Sequence, residues 1–167
     1  MDIDEGNIVY FDGKANGGGM ICYYDNETNR VTQLKEVFYG TPEPKLTGSS
    51  AVWLERTSRN TDKLYMMNVH SKELTTLAVF TGSPYGLSQP GVSGVKSGYG
   101  YVVWADYSDQ YPDNLNFSTI HVRSIPYNEQ LSQDYPADMY VHDPVTNGRA
   151  LAWTDGNEGE GSSLYLS

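Results

Sequence analysis

A large aromatic residue recurs along this chain in one repeated setting. Tyr10, Trp53, Trp104 and Trp153 stand 43, 51 and 49 residues apart, and an acid follows two positions after each: Asp12, Glu55, Asp106 and Asp155. All three tryptophans of the 167-residue chain fall in this column. The flanking segments agree as well. Asn7-Ile8-Val9-Tyr10-Phe11-Asp12 matches Ser50-Ala51-Val52-Trp53-Leu54-Glu55, then Tyr101-Val102-Val103-Trp104-Ala105-Asp106 and Arg149-Ala150-Leu151-Ala152-Trp153-Thr154-Asp155. Self-similarity of this kind marks a stack of like units, none of which buries its apolar faces alone.

The match runs in both directions from the aromatic column. A shift of 43 aligns Ile21-Cys22-Tyr23 with Leu64-Tyr65-Met66, and Val31-Thr32-Gln33-Leu34 with Leu74-Thr75-Thr76-Leu77. A shift of 100 aligns Leu64-Tyr65-Met66 with Leu164-Tyr165-Leu166, and the third copy reads Ile120-His121-Val122. Upstream, Pro44-Lys45-Leu46-Thr47, Pro90-Gly91-Val92-Ser93 and Pro144-Val145-Thr146-Asn147 lead into the aromatic segments, with extra residues around Gly94 to Gly98 in the third copy.

Each copy therefore holds four short candidate strands. In the second they are Lys45–Thr47, Ser50–Glu55, Lys63–Asn68 and Glu73–Phe80, separated by polar turns at 56–61 and 69–72. The third strand alternates with period two: the column Ile21, Leu64, Ile120, Leu164 is apolar, as is Tyr23, Met66, Val122, Leu166. That face is core. The column between them (Cys22, Tyr65, His121, Tyr165) is mixed and fits a face turned to a neighbouring sheet. The best helix candidate, Ser71 to Phe80, has apolar residues at helical spacing, but β-branched Thr75, Thr76 and Val79 interrupt it and Gly82 and Pro84 end it. Tyrosine numbers 14, glycine 17 and proline 8, a composition of pleated surfaces and turns.

Four strands per unit at this period predict an all-β protein of β-propeller blades, each a sheet of four antiparallel strands. A β-sandwich also shows short strands with regular turns, but does not require a tryptophan column in phase with a proline column. The pattern Pro-x-Leu/Val-Ser/Thr, then Val-Trp-x-Asp/Glu, a polar turn and Leu-Tyr resembles TolB-like propeller repeats, in the flavour found on surface proteins. The resemblance covers almost the whole chain and implies a propeller fold, with binding of proteins, carbohydrates or peptides, or attachment to hydrolases and lyases. Two departures stand out: Asp134 replaces the leucines Leu34 and Leu77, and the family's Asp-Gly before the aromatic strand is only partly replaced, by Gly6 and Gly148.

The copies fall near 1–43, 44–89, 90–143 and 144–167, in a single propeller-type domain of about three and three-quarter repeats. Closed propellers have about four to eight blades. The expectation is an incomplete ring, most simply part of a larger propeller. The alternatives are a ring assembled from two or more copies and a small four-bladed ring completed by a strand from elsewhere. Open blade edges would then invite a homo-oligomer.

Charge removes several functions. Eleven Lys and Arg against 21 Asp and Glu give a net charge of −10, which disfavours nucleic acid and anionic membrane surfaces. A single cysteine, Cys22, excludes an internal disulfide. No apolar run is long enough to span a bilayer, so no membrane insertion is expected. The start, Met1-Asp2-Ile3-Asp4-Glu5, has the wrong sign for a signal-peptide n-region. Asn26-Glu27-Thr28 and Asn116-Phe117-Ser118 fit the glycosylation acceptor and point outward from the cytosol.

Candidate chemistry is sparse. The acids of the repeated column could hold a cation or sugar hydroxyls, but acids in a repeat ordinarily cap turn amides. Asp155-Gly156-Asn157-Glu158-Gly159-Glu160 has calcium-like alternation without the terminal bidentate Glu, and reads better as a hairpin turn. No cofactor is expected; calcium is the one ion the composition suggests. His70, His121 and His142 share no metal-ligand spacing. The candidate ligand-binding set is Asp106, Tyr107, Asp109, Tyr111 and Asp113, in the longest turn between second and third strands. Aromatic and acidic residues together suit stacking on a sugar ring and hydrogen bonding to its hydroxyls. The expected function is a non-enzymatic binding or scaffolding module, extracytoplasmic, recognising a protein or carbohydrate partner through its loops. The alternatives are a fragment of a propeller glycoside hydrolase or polysaccharide lyase, and a structural surface-layer segment that self-associates.

Overall fold

The computed structural model describes residues 1–15, 17–81, 92–98, 100–106, 119–125, 129–134, 141–146, 150–157 and 161–166. They divide into two compact units, Met1–Phe80 and Thr81–Ser167. All regular structure among the described residues is β.

The first unit holds two four-stranded antiparallel sheets. In the first sheet, β1 (Asp2–Asp4), β2 (Asn7–Gly13), β3 (Gly19–Asp25) and β4 (Arg30–Val37) lie side by side in chain order. The second repeats the arrangement with β5 (Lys45–Thr47), β6 (Ser50–Ser58), β7 (Thr61–Asn68) and β8 (Leu74–Thr81). In the second unit, β9 (Val92–Gly98), β10 (Tyr101–Asp106), β11 (Thr119–Ser124) and β12 (Glu129–Asp134) form a third four-stranded sheet. The fourth sheet comprises β13 (Val141–Thr146), β14 (Leu151–Asn157) and β15 (Gly161–Leu166). Among the described residues the first three sheets have four strands in up-and-down order, the predicted blade, and the fourth has three.

The register reproduces the columns. Tyr10 pairs with Cys22, Trp53 with Tyr65, Trp104 with His121 and Trp153 with Tyr165. The mixed column is thus the cross-strand partner of the aromatic column on the same face. Trp53 and Tyr65 meet with centroids 5.8 Å apart, and Trp104 stacks on His121 at 5.1 Å with an interplanar angle of 16°. On the opposite face Ile21, Leu64 and Ile120 are fully buried, as expected of the apolar column. Two positions on, Tyr23 is buried while Met66 and Val122 are only half-buried.

One core joins the first two sheets. Val9, Ile21, Leu34 and Val37 of the first pack against Leu46, Ala51, Trp53 and Met67 of the second. At the inner edge, the Asp2 and Asp4 carboxylates accept the amides of Leu46 and Gly48 at 2.9 and 2.7 Å, satisfying donors that β5 cannot give to a strand.

The strand expected over 73–80 is β8: Leu77 and Phe80 face the core and the β-branched neighbours suit a pleat. One reading from sequence changes. The β6–β7 hairpin is tighter than the predicted turn at 56–61, since β6 reaches Ser58 and β7 starts at Thr61. A two-pronged pair of Arg56 with Asp62, at 2.9 and 3.2 Å, holds those extra rungs. The additional residues of the third copy lengthen β9, whose register slips between Val103 and Ala105.

The turns also repeat. Asp25 accepts the amides of Glu27 and Thr28, as Asn68 accepts those of His70 and Ser71. Each turn ends on a residue in the left-handed region, Asn29 (φ 53°) or Lys72 (φ 60°). The amide of Thr28, with that of Glu27 and the nearby His70, holds the Asp25 carboxyl below its ordinary value of 3.8. A lowered folded-state pKa adds stability that is present above the unfolded value and is lost as pH falls through the folded one. Asp25→Asn keeps the acceptor and removes the charge. The variant should be less stable than the parent at neutral pH and converge on it between about pH 4 and pH 2, read as urea midpoints at each pH.

The β1–β2 hairpin turns on Glu5 (φ 49°) and Gly6 (φ 83°). Two positive φ values are the type I′ geometry, for which Asn-Gly is the favoured pair. Glu5→Asn should stabilise by about 0.5 kcal/mol. Gly6→Ala should destabilise by about 1–2 kcal/mol, its added Cβ lying 3.0 Å from the Asn26 amide. Equilibrium denaturation of both variants gives the comparison.

Candidate functional site

The acid column is the first place to look, and in the second sheet its role is plain. Glu55 is 5% exposed. It accepts the Trp53 indole N–H at 3.0 Å and meets the Lys35 ammonium at 2.8 Å from both oxygens. Lys35 comes from β4 of the first sheet and also lies 5.3 Å from the Tyr65 ring centroid. Burial, with the Glu55 charge beside it, pushes the Tyr65 phenol above its ordinary value. Glu55 is therefore tied into the contact between two sheets. It does not cap a turn, the role that sequence suggests.

The other members of the column differ. Asp12 is exposed on the first sheet. Asp106 closes β10, paired with Thr119 and Val92. Asp155 lies within β14 opposite Ser163, and Gly156 and Asn157 continue that ladder, so the calcium-like stretch begins as a hairpin strand. Among the described residues the buried indole nitrogen of Trp104 has no hydrogen-bond partner. Among the described residues no group of three or more His, Cys, Asp and Glu converges on a point that could hold a metal.

Of the candidate ligand-binding residues, only Asp106 is described. Tyr107, Asp109, Tyr111 and Asp113 lie outside the described residues, as does Asn116 of the second glycosylation acceptor. The strands that bracket them are placed. The β10–β11 connection spans 107–118, whereas its equivalents are 14–18, 59–60 and 158–160. The longest connection of this class therefore sits on the third sheet, as expected.

Sequence reasoning passed over a second feature at the same end of a sheet. Gly13 pairs with Gly19 and Gly19 with Val37, so the residues after Val37 emerge beside the β2–β3 turn. There Phe38 and Tyr39 stand 69% and 62% exposed, side by side. Gly18 (φ 71°) makes room for them: a Cβ there would lie 2.5 Å from the Val37 carbonyl oxygen and 2.9 Å from that of Phe38. Cys22 is buried, and burial raises its thiol pKa, so it is an inert packing residue.

No family model matches the sequence, and no curated protein matches it significantly. Solved structures do. TolB from Acinetobacter baumannii is similar with a TM-score of 0.62 over 96% of this chain and 37% of its own, at 11% identity. A prolyl endopeptidase gives a TM-score of 0.70 over 98% of this chain and 27% of its own, at 12% identity. The β-propeller domain of the Trilobed protease from Pyrococcus furiosus gives 0.51 over 96% and 63%, at 11% identity. The chain thus spans less than two thirds of each of these proteins. Identity this low carries the fold alone: the sheets are β-propeller blades.

The Glu55 site makes a stability prediction. Lys35→Met strands a buried carboxylate and should cost about 3 kcal/mol. Adding Glu55→Gln keeps an acceptor for the indole, removes both charges and should recover most of that loss. Denaturation of the parent, both single variants and the double variant gives the coupling between the pair; additive losses would show that the two groups act independently.

Proposed function

We propose that this chain is a non-enzymatic binding or scaffolding module, a single propeller-type domain that recognises a protein or glycan at the loop end of its blades. The observation that carries the reading is the pair of exposed aromatics, Phe38 and Tyr39, set beside the β2–β3 turn. Exposed rings held on a rigid sheet end are recognition surface rather than core. In sequence, the connection between β10 and β11 holds Tyr107, Asp109, Tyr111 and Asp113 directly after Asp106. Rings that stack on a pyranose and carboxylates that accept its hydroxyls are the chemistry of sugar binding. The engagement of Glu55 inside the sheet contact supports the same reading, since it removes one repeated acid from the list of available catalysts. An extracytoplasmic setting suits such a module, and Asn26 of the first glycosylation acceptor lies in an exposed turn.

A second reading is an accessory propeller segment of a hydrolase or lyase. It is favoured by the likeness to a prolyl endopeptidase, of which this chain matches 27%. Binding to an array of polysaccharide fragments, followed by calorimetry on any positive, separates the two. Phe38→Ala with Tyr39→Ala, or Tyr107→Ala with Tyr111→Ala, should weaken binding about tenfold or more. Cleavage of an arrayed glycan, abolished by Asp109→Asn with Asp113→Asn, would establish the enzyme instead.

A further inference from the structure

The outermost strand of a propeller blade is a sheet edge, and its outward N–H and C=O groups form a template for a further strand. β8 holds that place in the second sheet, with β7 on one side and, among the described residues, no strand on the other. Edges of this kind are ordinarily guarded by charge. β4, the corresponding strand of the first sheet, carries Arg30 and Glu36, both exposed. β12, the corresponding strand of the third, carries Glu129 and Asp134. β8 reads Leu74-Thr75-Thr76-Leu77-Ala78-Val79-Phe80-Thr81, with no charge, glycine or proline in its 8 residues. Leu74 is 41% and Val79 54% exposed, and Thr76 and Thr81 are exposed with them. The second copy of the repeat thus carries apolar and β-branched residues on the strand where the first and third carry charge.

The order of those residues points to the partner. In β4 the ladder slips at Leu34, an extra residue between the partners of Ile21 and Cys22. Leu77 is its counterpart at a shift of 43, and one extra residue there brings Leu74, Thr76, Val79 and Thr81 to one side of the strand. Their spacing reads alike from both ends. An antiparallel copy of β8, related by a two-fold axis at Leu77 and Ala78, sets Leu74 opposite Thr81 and Thr76 opposite Val79. Thr75 then faces Phe80 on the inner side. Exposed residues meet exposed ones and inner residues meet inner ones, in apolar and β-branched pairs of the kind that stabilise neighbouring strands. Charge agrees, since two chains of net charge −10 repel least where neither carries a charge. We propose that β8 pairs with β8 of a second copy of this chain, so that two four-stranded second sheets become one continuous sheet. The contact is isologous and closes as a dimer. It is independent of the ligand at the loop end.

One strand pair is a small interface, so the association should be weak, with a Kd of about 10 µM to 1 mM. Sedimentation equilibrium on the whole chain across that range should show a dimer that gains population with salt, as screening relieves the repulsion between copies. Hydrogen exchange at the β8 amides should slow as the dimer forms. Thr76→Lys with Val79→Lys changes exposed positions that face each other across the axis, and should return the protein to monomer with its circular dichroism unchanged. Thr76→Glu with Val79→Glu should do the same. Mixing the two variants sets ammonium opposite carboxylate and should restore a dimer of one copy of each. Wild-type protein that stays monomeric to about 1 mM would overturn the proposal and leave this edge to a peptide of another protein. So would a dimer that survives either double variant, a dimer without slower exchange in β8, or folded variants that do not pair when mixed. If a charged variant does not fold, the dependence of β8 exchange on wild-type concentration decides the matter.

Discussion

The architecture of the first unit depends on one side chain being buried between two sheets. Trp53 is enclosed by residues of both blades, and its indole N–H needs an acceptor where water does not reach. Glu55, two residues on, supplies it because alternate residues on a strand share a face. That places a carboxylate in the same enclosed space, and a lone buried charge is costly. Lys35 from the neighbouring blade removes the cost, and its stem crosses Tyr65 on the way. Indole, acid, cation and phenol therefore form one unit whose parts come from two blades, and it fixes how those blades are aligned.

The same column shows how far a repeat is free to drift. The counterpart of Lys35 in the second copy is Ala78, and the counterpart of Glu55 in the third is Asp106, one methylene shorter. Among the described residues the buried Trp104 indole nitrogen has no hydrogen-bond partner, and the ring lies flat on His121. A similar exchange operates at the end of the β2–β3 hairpin. Gly13 and Gly19 leave room for the Phe11 ring, whereas the second copy has Leu54 with the Arg56–Asp62 pair at the glycine positions. At the hairpin end, space given up by one side chain is filled by others in the set, while polarity is not kept.

Much of this was legible beforehand. The spacing of Tyr10, Trp53, Trp104 and Trp153 implied four like sheets, and the sheets are there with the predicted columns in register. Segment 71–80 shows why period must be weighed with residue type: three apolar residues at helical spacing did not outweigh β-branched neighbours, and β8 results. The β6–β7 turn was placed too wide because polar Arg56 and Asp62 read as loop, although paired with each other they extend a ladder. Phe38 and Tyr39 were passed over for a related reason. They lie after the fourth strand of the first copy, where a shift of 43 meets Thr81 and Gly82 and no column forms, and only the placement of Val37 beside the β2–β3 turn shows that they stand at a loop end.

The sequence alone determined the repeat, the strands within it and which residues share a face, because these follow from local periodicity and from comparing one copy with the next. Only the tertiary structure decided which partner each face meets. The Lys35–Glu55 pair joins residues of two separate sheets, and nothing in the chemistry of either residue announces the other. Equivalent positions likewise read the same in sequence whether they are buried, like Leu46, or exposed, like its counterpart Ile3. Burial is a property of what lies across the gap, and that is set by how the blades stack.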